Sequence, residues 1–554
     1  MHRLWVGLLA ASLLCSCREK RGETPTGGAP RAASPAAAPS KERSPTEGGT
    51  LRRRLFGEPG TLNAVLQTDV PEQLVLQYLS RNLFDFDSRM RLLPGLAERV
   101  ESSPDGLAFT VFLRPEAVWE DGSPVTPADA VFTIRKITDP ATASPLYKAL
   151  FEDLAAVEEA GPHAFRARFR EPYAYRTMAF VLPLLPARRF AGQPFDRDPD
   201  NRQPLSNGPY RLASWKAQES IVLERNPRYW GPRGHFDRIV FRIVPENAVA
   251  YRALLQGELD ETWIDTALKE RAASDPAFAA CCRVLEFYDL DYNYIALDTR
   301  LPFFADPRTR RALTMLLDRD SIARNLFHGS ARVISGPWAP ESPAYDASIA
   351  PLPFDPKGAA ALLAEAGWRD TNGDGTRDRN GREFDFELLV SAGNTIGRQI
   401  DETFAAELAR AGVRARVRPL EWAAFVERLD SGSFEAASLA SSASDPNPDP
   451  YPYWHSSQWP PRGLNSGYYR NPEADRLMEQ ARREPDEARR VALFHRLHRI
   501  FRDDAPVVFV VNATKKYALQ RRLRDVETSP LGPFGVWPGP LAWWAAEPGP
   551  GGAR

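Results

Sequence analysis

Runs with the two-residue period of strands and the 3.6-residue period of helices alternate along almost the whole chain, and this interleaving limits the fold more than any other feature. Beyond Gly48, Leu51–Phe56, Ala108–Leu113, Ala164–Phe169, Ser220–Glu224, Arg238–Val244 and Tyr292–Leu297 read as strands, as do Phe384–Val390, Val413–Pro419 and Val507–Val511. Pro71–Arg81, Ala248–Gln256, Pro307–Leu317, Lys357–Ala366, Gly397–Ala411, Trp422–Ser431 and Pro472–Phe501 read as helices. The punctuation agrees: Asp306 stands as a cap before Pro307, Gly257 and Gly367 follow helix ends, and Thr126-Pro127 opens a helix at Ala128-Asp129. No repeat of fixed period appears. The expected class is α/β, and a chain of 554 residues that is 43% hydrophobic can bury cores in more than one lobe.

The charge is balanced, with 71 Lys and Arg against 72 Asp and Glu. A net charge of -1 offers no basic surface for counterion release, so nucleic acid is not expected as a partner.

The N-terminus sets the compartment. Met1-His2-Arg3 is a short basic start, and the apolar run Leu4–Leu14 is too short to span a bilayer. It leads into Leu14-Cys15-Ser16-Cys17, which resembles a bacterial lipobox, in which the last cysteine carries the lipid. Residues 1–17 are therefore expected to be a lipoprotein signal, with Cys17 lipidated and the protein anchored in the cell envelope, facing the periplasm or the exterior. Residues 18–47 hold almost nothing large and apolar and cannot offset their ordering entropy. As a flexible tether they would reach about 30 Å. Cys281 and Cys282 are adjacent, and no spaced Cys pairs suggest a zinc site.

Several segments then appear in an order that resembles one family. Leu92-Leu93-Pro94-Gly95-Leu96-Ala97 precedes Ser103-Pro104-Asp105-Gly106, Trp119-Glu120-Asp121-Gly122 and Thr126-Pro127-Ala128-Asp129. Asn207-Gly208-Pro209-Tyr210, Asn226-Pro227-Arg228-Tyr229-Trp230, Gly257-Glu258-Leu259-Asp260 and Asp306-Pro307-Arg308 follow. The set is similar to the extracellular solute-binding proteins of family 5, which serve ABC importers of oligopeptides, dipeptides and nickel. The segments themselves read as scaffold, with Trp119 and Trp230 as packing residues.

The resemblance implies a two-lobed periplasmic-binding-protein fold, class II-like, with an extra subdomain in the first lobe. Lobe I would comprise 48–290 and 505–545, with the subdomain at about 83–204, and lobe II would comprise 291–504. The chain would cross between lobes near Tyr288–Tyr292 and Asp503–Pro506. A monomer is expected to close around a short peptide and deliver it to a permease and ATPase complex. Open alternatives are a nickel-chelate or haem binder of the same family, and a ligand-sensing receptor not coupled to import.

By the same resemblance, Asp445, ahead of Asp449-Pro450, is the candidate partner for a peptide amino terminus, with Ser441 and Ser442 leaving a roomy pocket beside it. Val70, within Thr68-Asp69-Val70-Pro71-Glu72, would offer backbone from the first lobe, and Trp422 would face the cleft. His455 near the cleft keeps the nickel alternative open. No motif points to the cation for a ligand carboxylate. Asp370, Asn372, Asp374 and Asp378 alternate with glycines as oxygen ligands do in a calcium loop, although position twelve is Gly381, not Glu. Calcium is thus the one candidate cofactor, and an Asx-rich turn is the other reading of the loop. No nucleophile elbow or His-Glu-x-x-His motif is present, and His495 and His498 read as part of a solvated helix face, so no enzyme is expected.

Overall fold

The computed structural model describes residues 45–546, apart from 145, 191–194, 196–197, 442–448 and 461–462. Cys17, Ser442 and Asp445 lie outside the described residues, as does the tether except for its last three residues. Those three join the folded body. The Thr46 hydroxyl donates to the Ala545 carbonyl, and Glu47 accepts from Arg225 Nη2 at 2.7 Å and meets His235 Nδ1 at 2.8 Å. A short polar segment gains order here because charged partners await it.

The fold has two lobes. In lobe I, strand Thr50–Leu55 runs parallel to Arg238–Ile243, and Ser220–Arg225 and Tyr210–Lys216 continue the sheet antiparallel. Helix Val70–Leu79 packs Val75, Leu76 and Leu79 against Leu51, Leu55, Leu223 and Phe241. Leu523, Leu541 and Trp543 complete this core from the far end of the chain. Burying each such side chain contributes roughly 1.5–3 kcal/mol, so both ends of the sequence are needed to close lobe I.

A second sheet orders Glu261–Trp263, Val511–Gln520 and Cys282–Tyr288, with Val511–Gln520 in the centre. A further four-stranded sheet, Ala97–Ser102, Ala108–Leu113, Ala164–Phe169 and Leu154–Glu159, lies under helix Pro127–Thr138 and forms its own core around Trp119, Ile134, Phe165 and Phe180. Trp119 is buried there and donates to Asp129 at 3.4 Å. The same carboxylate accepts from the Thr126 backbone at 2.9 Å and so caps the helix from within its first turn.

Lobe II is built on five strands in the order Arg414–Leu420, Asp385–Ser391, Ala436–Ser441, Tyr292–Leu297 and Val507–Phe509. Helices Pro307–Met315, Pro356–Glu365 and Thr395–Arg410 bring Leu313, Leu363 and Phe404 to a core shared with Ile295, Phe386 and Val508.

Two sequence expectations need correction. Val507–Phe509 pairs with Tyr294–Ala296 and Val511–Ala513 with Ala331–Val333, so the chain is still paired within lobe II beyond 503–506 and joins the sheet of Cys282–Tyr288 only from Thr514. The helix expected over Pro472–Phe501 is two helices, Pro472–Arg483 and Glu487–Asp504. Pro485 ends the first, since proline lacks the N–H and crowds the preceding turn, and Asp486 caps the second by accepting from Arg489 N at 2.8 Å.

Candidate ligand-binding site

A cavity of about 840 Å³ lies against lobe I beside the chain crossings, at the upper range for pockets that enclose small ligands. The strand Thr50–Leu55 supplies Arg53 and Arg54, and the helix after it supplies Val70, Gln73 and Gln77. The entry to that helix is fixed by a capping box. Asp69 accepts from Glu72 N at 2.9 Å, and Glu72 accepts from Asp69 N at 3.2 Å and Thr61 N at 3.1 Å. Val70 consequently stands half exposed at the cavity wall. The opposite wall is the Pro- and Gly-rich segment Pro530–Leu541, which presents Phe534 and Trp537.

Charges in the wall are paired. Arg53 is fully buried, donates to Glu261 at 2.9 Å and Tyr78 Oη at 3.1 Å, and lies 4.1 Å from the Phe534 ring centre. Arg81 meets Asp85 at 2.6 Å and stacks 3.3 Å from the Trp537 ring centre. Burial pushes the Asp85 carboxyl up to about 6, with Arg81 offsetting part of the effect. Lys515 bridges Asp291 at 2.9 Å and Asp289 at 3.3 Å. Burial, only partly offset by Lys515 and reinforced by neighbouring Asp291, raises Asp289 to about 6. Burial would lower Lys515, but the two carboxylates prevail and hold it above the ordinary lysine value.

These three residues sit where the chain crosses between lobes. Asn512, fully buried, donates to the carbonyls of Asp289 at 3.0 Å and Asp291 at 2.7 Å and accepts from Arg332 Nε at 2.8 Å. The floor of the cavity is therefore also the joint between the lobes.

The structure scatters the other candidate residues. Ser441 ends its strand opposite Tyr292 and shares a side-chain hydrogen bond with it. It is not among the described residues that line the cavity. Trp422 is 66% exposed and stacks 6.0 Å from Phe425 at a helix start, away from the cavity lining. Asp449, at the Asp-Pro step, is buried: it accepts from Tyr173 Oη at 3.0 Å and pairs with Arg482 at 3.1 Å. His455 is not at the cavity. It stacks on Tyr451, with ring centres 4.1 Å apart, and bonds Ser457 at 2.8 Å.

The proposed calcium ligands do not converge. Asp370 accepts from the Gly373 and Gly375 backbones at 2.7 and 3.0 Å, and Asn372 accepts from Asp374 N at 3.1 Å. Asp374 accepts from Thr376 N at 2.7 Å, and Asp378 from the Thr371 hydroxyl at 2.6 Å. Among the described residues no group of three or more His, Cys, Asp or Glu could hold a metal. The oxygens satisfy the turn's own amides, as Asx-rich turns do. His498 departs from the expected solvated face. It is fully buried against Tyr345, meets Ser335 Oγ at 2.9 Å and accepts from Asp346 N at 3.0 Å, and burial lowers it to about 4.

Comparisons with known proteins agree on this architecture. The family profile described as bacterial extracellular solute-binding proteins, family 5 Middle, matches residues 91–461. The oligopeptide-binding protein AppA of Bacillus subtilis is 27% identical over 500 residues, covering 88% of this chain and 90% of the relative. Its structure in complex with a nonapeptide covers 91% of this chain and 100% of its own, with a TM-score of 0.73. The heme-binding protein A of Haemophilus influenzae is 26% identical over 468 residues, covering 79% and 82% of the two chains. The substrate-binding protein CtaP of Listeria monocytogenes, 20% identical, shares the fold at a TM-score of 0.79 over 91% of this chain and 100% of its own. With its two lobes, its double crossing and its walled cavity at the joint, the chain belongs to the bacterial extracellular solute-binding proteins, family 5.

Proposed function

We propose that this protein captures short peptides between its lobes and delivers them to the permease and ATPase of an ABC importer, held at the membrane by a lipid on Cys17. The observation that carries the peptide reading is the cavity wall, where four cations and four carboxylates stand among aromatic side chains beside the interlobe joint. Such a surface suits a guest with a polar backbone, charged ends and variable side chains. The nonapeptide complex of a relative supports the same assignment. A nickel chelate or haem fits the lining less well, because none of the described lining residues is His or Cys. The wall is built for holding a guest, and no reaction is proposed.

Among the described residues no helix is long and apolar enough to cross a membrane. The reading of attachment rests on the lipobox-like Leu14-Cys15-Ser16-Cys17.

A thermal-shift screen tests the ligand. Mixed short peptides are expected to raise the melting temperature, and nickel-histidine and haem to leave it unchanged. A shift with either of the latter, and none with peptides, overturns the assignment.

A further inference from the structure

We propose that Arg54 is the cation that receives a carboxylate of the bound ligand. The inference rests on the reading of the cavity as a peptide site.

The other three cations of the wall are each committed to carboxylates of the protein: Arg53 to Glu261, Arg81 to Asp85, and Lys515 to Asp289 and Asp291. Arg54 is different. It lines the same cavity and is only 6% exposed, yet no carboxylate of the described residues stands in ion-pair range of its guanidinium. Neutral acceptors hold it instead. Nε donates to the Val244 carbonyl at 2.8 Å, and Nη1 to Asn247 Oδ1 at 2.9 Å and Thr262 Oγ1 at 3.3 Å. Nη2 donates to the Pro245 carbonyl at 2.5 Å. These bonds use four of the five guanidinium N–H groups, and the fifth, on Nη2, has no acceptor among the described residues.

Glu261 lies near enough to attract Arg54 but spends its short contact on Arg53, and Glu246 is exposed and screened by solvent. The pair Arg53 and Arg54 thus carries one more positive charge than the wall beside it neutralises. A buried charge without a counter-ion is costly, and the cost falls when a ligand brings the missing anion. The four neutral bonds fix the guanidinium in advance, so little side-chain entropy is lost when the anion arrives. The carboxylate can come from a peptide C-terminus or from an acidic side chain.

Calorimetric titration of the full chain separates these cases. The probes are tetra-alanine as the free acid, its C-terminal amide, and the amide with one Ala replaced by Glu. The wild type is expected to bind the free acid at least about tenfold tighter than the plain amide, the scale of losing one partner of a buried charged pair. In Arg54→Gln the acid and the amide should bind within about twofold of each other. Arg54→Met serves as the second variant, because it removes the charge and keeps an unbranched, adaptable chain, and its melting temperature checks that it folds. A Glu-amide that regains the free-acid affinity in the wild type, but not in the variants, assigns the carboxylate to a side chain and supports the proposal. Equal binding of all three probes by the wild type overturns the role of Arg54 while leaving the peptide site standing. An acid preference that survives in both variants also overturns it. Absence of binding by every probe defeats both the site and the proposal.

Discussion

The buried amide of Asn512 donates to the carbonyl of Asp291 at 2.7 Å, and its second hydrogen reaches Asp289 at 3.0 Å. One side chain therefore ties the returning chain to the outgoing one at the joint between the lobes. Asn512→Ala leaves those carbonyls and the Arg332 guanidinium without this partner. The expected loss is about 2–4 kcal/mol, seen as a lower midpoint in the first transition of urea unfolding. Small-angle scattering should show a wider spread of lobe orientations in the variant than in the wild type. Unchanged scattering would mean that strand pairing alone sets the joint.

Asp401 is fully buried in helix Thr395–Arg410, accepts from Ser438 Oγ at 2.7 Å and leaves Oδ2 without a partner. Burial raises it to about 8, so the native state holds this proton when the unfolded state has lost it. Stability from this group is fully present below the unfolded carboxylate range and declines by about 1.4 kcal/mol per pH unit up to about 8. His498, lowered to about 4 by burial, works the other way below the unfolded histidine value, where the unfolded chain takes up a proton first. Asp401→Asn is predicted to abolish the decline between pH 6.5 and 8. A parallel pair of stability curves for wild type and variant across that window would contradict this.

Glu261 is the only counter-charge within ion-pair range of the buried Arg53 among the described residues. Glu261→Leu should cost about 3–5 kcal/mol, because it strands a guanidinium away from water. Pairing it with Arg53→Met removes the stranded charge and should recover much of that loss. A double-mutant cycle in chemical denaturation measures the coupling.

The Cys281 and Cys282 sulfurs lie 2.8 Å apart as free thiols, Cys282 is fully buried, and burial pushes its thiol up. A thiol reagent is expected to modify Cys281 first and Cys282 only after unfolding. Two equal fast phases in the native protein would show that the end of helix Pro276–Cys281 opens readily.

Cys17→Ser is expected to abolish incorporation of labelled fatty acid and to move the protein from the membrane fraction to the soluble one. Retained label would place the lipid elsewhere or dispose of the lipobox reading.

The sequence discloses scaffold far better than site. Ala108–Leu113 and Ala164–Phe169 are strands at the expected bounds, because each half-buried strand leaves a period-two pattern, and Tyr292–Leu297 is a strand at its expected bounds as a buried central strand without that alternation. Asp306 caps its helix by accepting from Arg308 N at 2.9 Å, as its place before Pro307 suggests. The strand beyond Val511 is not legible in the sequence, because Lys515 and Lys516 break the apolar pattern, although Lys515 is held by carboxylates of the joint. Pro485 is a readable helix breaker, and the apolar spacing on both sides of it masks the break. The cavity wall Pro530–Leu541 has no periodicity to detect. Arg54 lay hidden in Arg52-Arg53-Arg54, since only tertiary structure shows that Arg53 has a carboxylate and Arg54 has none. Of the residues inferred by family likeness, Val70 lies in the cavity wall, whereas Ser441 and Trp422 are not in its described lining.

The placement of Val511–Gln520 between Glu261–Trp263 and Cys282–Tyr288 has a consequence for biosynthesis. A nascent chain that emerges N-terminus first exposes both flanking strands long before their central partner exists. Lobe II at that stage still lacks its edge strand Val507–Phe509, and the earlier lobe waits with unpaired strand edges, a template for aggregation. A chaperone that shields this half-built sheet would keep the polypeptide threadable until its last residues arrive.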